Sequence, residues 1–131
     1  MRRWITGTAA VLAMALAVLA SAGCGRRPAN AVEVTLLALA GPVCPVETSP
    51  PDPACAARPV PGATLRVVDE RGRTVTARTD QEGRASVDLT PGRYRVEALP
   101  VEGLMGTPPP ADLLVGPSGA SLTLAYDTGI R

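Results

Sequence analysis

"TDQEGRASVDLTPGRYRV", residues 79–96, holds two short runs in which apolar and polar residues alternate, each opened by turn residues. In the first run Ala85, Val87 and Leu89 alternate with Arg84, Ser86 and Asp88; in the second Tyr94, Val96 and Ala98 alternate with Arg93, Arg95 and Glu97. Successive side chains of a strand point to opposite faces, so each run reads as a half-buried strand with its apolar row inward. Asp80-Gln81-Glu82-Gly83 leads into the first. Gly83 suits a positive φ, and the Asp80 carboxylate suits nearby backbone N–H groups. Pro91-Gly92 leads into the second and has the sequence of a type II turn.

The same grammar extends outward. "VEVTLLALA" (32–40) alternates and then turns apolar on both faces, as an interior strand does. "ATLRVVDE" (63–70) places Ala63, Leu65 and Val67 on one face, and Arg71-Gly72 turns the chain into "RTVTART" (73–79), with Val75 and Ala77 inward. "ADLLVG" (111–116) and "ASLTLAY" (120–126) flank Pro117-Ser118-Gly119. Seven short strands about ten residues apart, with no helical period after the leader, predict an all-β fold: a seven-stranded antiparallel β-sandwich of Greek-key type. Neither an internal repeat nor a second domain is visible. The expected organisation is a leader over 1–23, a tether over 24–31 and the sandwich over 32–131.

The leader, "MRRWITGTAAVLAMALAVLASAGC", has a basic start at Arg2 and Arg3, an apolar run to Ala22, and small residues before Cys24. That is the anatomy of an export signal. A Cys directly after small residues resembles the bacterial lipobox, which implies a diacylated Cys24 as the mature N-terminus and a membrane partner through its lipid. Ser21 stands where the lipobox usually has a branched residue, so an uncleaved apolar anchor and plain secretion stay open as alternatives. Three cysteines is an odd number for an exported chain. Lipid on Cys24 leaves Cys44 and Cys55 as a disulfide pair across "CPVETSPPDPAC", a proline-dense loop with little to bury.

Thr79-Asp80-x-x-Gly83, followed by Leu89-x-Pro91-Gly92-x-Tyr94-x-Val96, resembles the signature of carboxypeptidase regulatory-like domains. These are transthyretin-like sandwiches related to the Cna-B-type repeats of surface proteins. The resemblance covers roughly 32–126 and implies a fold rather than an activity, because its motifs encode turns. Ala85 stands where the family commonly has an aromatic residue, which implies a thinner core or compensation by Tyr94, Tyr126 or Leu122. Cna-B-type domains carry Lys–Asn isopeptide crosslinks; a chain without Lys cannot form one.

Composition narrows the function classes. The chain has no His and no Lys, which removes the commonest general base and metal ligand, and Schiff-base chemistry. From Cys24 onward eleven Arg face twelve carboxylates, a balance that makes a poor nucleic-acid binder. No catalytic residue, metal ligand or cofactor site is expected: Asp80 and Glu82 lack the longer oxygen set of a calcium loop, and Asp69 and Glu70 point to opposite faces. The one stretch unlike a scaffold is "PVEGLMGTPPP" (100–110), where Leu104 and Met105 either cap the open end of the sandwich or form a partner contact. The expectation is a lipid-anchored, extracytoplasmic, non-enzymatic interaction or structural module at the cell surface, with a surface protein or glycan as partner. A carbohydrate-binding module of the same fold is the alternative.

Overall fold

The computed structural model describes residues 27–130. The leader, Cys24 and the first part of the tether lie outside them. Eight strands run in the order β1 (Val32–Gly41), β2 (Arg58–Pro59), β3 (Thr64–Asp69), β4 (Thr74–Arg78), β5 (Arg84–Leu89), β6 (Gly92–Ala98), β7 (Ala111–Val115) and β8 (Ala120–Asp127), with one 3-10 turn at Pro53–Cys55. Seven of them are the strands legible in the sequence. The two-residue β2 is the addition.

They form two sheets. In one, β1 is central, pairing antiparallel with β5 and β2 and in parallel with β8 over Val34 to Gly41. In the other the order is β4-β3-β6-β7, antiparallel throughout. The parallel β1–β8 pair departs from the all-antiparallel expectation. Alternation tells which face of a strand is buried but not which neighbour it takes, so the pairing had no sequence signal.

The even-numbered residues of β1 point between the sheets: Val34, Leu36 and Ala38 are fully buried. Val34 and Leu36 share a cluster with Leu65, Val67 and Val96 from the opposite sheet and Ala85, Val87 and Leu89 from β5. A second cluster, Ala38, Ala40, Val60, Ala63 and Tyr126, fills the end of the sandwich toward which β1 runs. Tyr94 and Leu122 pack against the cluster that contains Ala85, whereas Tyr126 belongs to the other. Among the described residues both clusters lie within 34–126, so a chain beginning at Gly25 carries both.

Two expectations fail locally. Val75 is 44% exposed. It sits on β4, an edge strand, where the opposing sheet no longer covers it. Gly92 has φ 158°, nearly extended, and opens β6 instead of occupying the third position of a type II turn, which needs about +80°.

Candidate functional site

The registers sort the loops between two ends. Val32, at the start of β1, lies opposite Leu89, and Gly41, at its finish, lies opposite Asp127. The chain enters from the tether at the Val32 end. The 44–55 loop and the 100–110 loop both gather at the Gly41 end, because Met105 N donates to Asp127 O (2.9 Å) and Thr128 N to Gly41 O (3.3 Å). Ten residues of extended strand separate the two ends, about 33 Å.

At the far end the chain is fastened by covalent and polar contacts. Cys44 and Cys55 form a disulfide, with Cα atoms 5.2 Å apart. Inside its loop the Asp52 carboxylate accepts from Ala54 N (2.8 Å), and Thr48 Oγ1 accepts from Asp52 N (3.0 Å). Gly106 bridges to Asp127 on β8, and the Thr128 hydroxyl donates to Pro42 O. Leu104 and Met105, paired in the sequence reading, part company. Leu104 packs against the Tyr126 cluster, whereas Met105 is 79% exposed. Val46, inside the disulfide loop, is 69% exposed as well. Sequence alternation could not single out Val46, because a proline-dense loop has no period to read. Segments 42–57 and 99–110 contain Glu47, Asp52 and Glu102 and not one Arg. The far end therefore combines fixed loops with two exposed apolar side chains.

The signature residues hold turns. Asp80 Oδ1 accepts from the backbone N–H of Glu82 (3.0 Å) and Arg84 (2.9 Å), while Gly83 N donates to Asp80 O. Asp69 builds the same turn one hairpin earlier: its Oδ1 accepts from Arg71 N and Arg73 N (both 2.9 Å), and Gly72 N donates to Asp69 O. The repeated pattern Asp-x-x-Gly-Arg at 69–73 and 80–84 was the available signal for it. Partial desolvation pushes the Asp69 carboxyl up, but the Arg73 and Arg71 backbone N–H groups and the Arg73 guanidinium (2.7 Å) outweigh it and hold the pKa below its ordinary value. The Thr79 hydroxyl, buried, donates to Val60 O and accepts from Ala63 N (2.8 Å), tying the β2–β3 connection to the end of β4.

The two tyrosines of the described residues differ in burial. Tyr126 is 1% exposed and donates to Leu99 O (2.8 Å); burial pushes its hydroxyl pKa up. Tyr94 leans on the core and donates to Thr90 O (2.6 Å).

The sandwich is shared with bacterial pilin domains. The TIE protein of Bacillus anthracis superposes with a TM-score of 0.57 at 16% identity, over 75% of this chain and 16% of its own. The minor pilin GBS52 of Streptococcus agalactiae does so with 0.57 at 14%, over 75% and 44%. A DUF3823 family protein from Bacteroides ovatus gives 0.50 at 13%, over 73% and 44%. The chain thus spans less than half the length of these proteins, and at such identities the likeness is one of fold. No family model matches the sequence, and no curated protein does. Among the described residues no helix is long and apolar enough to cross a membrane.

Proposed function

We propose that the chain is a lipid-anchored, non-enzymatic surface module that presents the far-end loops to a protein partner. The observation that carries this reading is the separation of its ends. The tether leaves beside Val32, while the disulfide loop and the 100–110 loop meet beside Gly41, with the length of β1 between them. An anchor at Cys24 would thereby hold Val46 and Met105 away from the membrane. Fixed loops lose little conformational freedom on binding, and exposed apolar side chains are the natural anchors of a contact. The pilin-like fold supports a place among surface proteins, and the lipobox-like Cys24 supports the lipid. Carbohydrate binding keeps only the analogy of fold: Tyr126 is buried, and Tyr94 is half-buried against the core.

A photo-crosslinking residue placed at Met105 in the producing cell tests the reading. Crosslinked adducts are expected from position 105 and not from Val75, an exposed apolar site on the β4 edge. Adducts of equal yield from both positions, or from position 75 alone, would contradict it.

A further inference from the structure

The outer face of the β4-β3-β6-β7 sheet carries a depression of about 500 Å³ whose lining includes Glu70, Arg93, Tyr94, Arg95, Asp112 and Leu114. A second depression, about 240 Å³, adjoins it across Glu70 and Arg93 and adds Arg71 and Arg73. Arg73 is committed to Asp69 (2.7 Å), and Arg66, farther along the sheet, to Glu97 (3.0 Å). Arg93 and Arg95 make no ion pair or side-chain hydrogen bond among the described residues, although the register sets Arg95 beside Asp112. Exposed Leu114, 72% accessible, stands next to Arg93 across the β6–β7 pair. Uncommitted guanidinium groups beside an apolar side chain suit a ligand with a phosphate next to hydrocarbon.

The position of this face says which ligand meets it. β5 ends at Leu89, opposite Val32, and β6 begins at Gly92, so Arg93 lies at the end where the tether enters. β3 runs antiparallel to β6 with Asp69 opposite Tyr94, which brings Glu70 and Arg71 to the same end. Arg27 pairs with Asp88 (2.7 Å), so the tether is already against the sandwich three residues after Cys24, a reach of roughly 10 Å. Resting on the lipid anchoring proposed above, we infer that Arg93 and Arg95 bind anionic phospholipid headgroups, with Leu114 at the acyl boundary. The domain then stands on the bilayer by this end, and the orientation of the far loops is set by contact and not by the tether alone. Glu70 and Asp112 oppose the contact, which makes it weak without the anchor and sensitive to salt.

The test uses the chain from Gly25, which holds both core clusters, and vesicles of phosphatidylglycerol mixed with phosphatidylcholine. Co-sedimentation is expected with the mixed vesicles, absent with phosphatidylcholine alone, and lost on raising the salt. Arg93→Ser with Arg95→Ser should lower the bound fraction about tenfold or more while leaving the thermal melt in place. Arg58→Ser, at the far end, should change nothing. The inference is overturned if the wild type does not sediment, or if the double variant sediments like it. Displacement by inorganic phosphate at constant ionic strength would make the site one for free anions instead. Because this chain lacks Cys24, failure here leaves the anchor untouched. A correct result here, with no lipid found on Cys24 in cells, would refute the anchor alone.

Discussion

Gly83 and Gly72 occupy equivalent places in the two Asp-x-x-Gly-Arg turns, at φ 73° and 80°, yet their surroundings differ. A Cβ on Gly83 would meet Ala38 O at 2.5 Å, whereas one on Gly72 would meet nothing within 4 Å. Gly83→Ala should therefore cost more than about 3 kcal/mol, and Gly72→Ala only the left-handed penalty of about 1 kcal/mol, read from denaturant melts. The sequence marks Gly83 for positive φ and Gly72 only for a turn. It could not show that one of them also lets β1 approach. Asp69 gives a pH test. Its folded pKa lies below the ordinary value of 3.8, so its contribution is present above that value and lost as pH falls through the lower folded one. The stability advantage of the wild type over Asp69→Asn should hold near neutrality and vanish only in strong acid. Tyr126 runs the other way. Its pKa is raised above 10, so its contribution is full below pH 10 and is lost as pH climbs through the raised folded value. Tyr126→Phe should cost about 1–2 kcal/mol by leaving Leu99 O without its donor, and should remove that part of the alkaline instability.

The loop 100–110 shows how far an element can be read from its residues. Its apolar pair was visible, but not the division of labour, because backbone bonds from Met105 and Gly106 to Asp127 turn one side chain inward and the next outward. Those bonds depend on the parallel β1–β8 pair, the pairing that alternation does not encode. Leu104→Ala should lower stability by about 2 kcal/mol through lost burial, and Met105→Ala should stay within about 0.5 kcal/mol. Equal effects would mean the loop acts as a single cap. The disulfide loop was legible for a different reason: twelve residues rich in proline and poor in apolar groups have no core to fix them. Cys44→Ala with Cys55→Ala should cost roughly 2–4 kcal/mol in thermal or denaturant melts of the oxidised protein, and peptide mapping without reductant should recover the two joined.

For the molecule as a whole, the strands and the sandwich followed from period-2 patterning, because burial on one face dictates residue type. The two ends did not, because they arise only when loops distant in sequence meet. The proposed function sets one axis, from a lipid on Cys24, through the arginine face beside Val32, along β1, to Val46 and Met105. Everything on that axis hangs on the anchor at its base, which intact mass spectrometry of the mature protein from the membrane fraction reads out. The expected chain begins at Cys24 with a thioether-linked diacylglycerol, and a Cys24→Ser variant lacks it. A mature chain that retains residues 1–23, or one that carries a free thiol at Cys24, would contradict it.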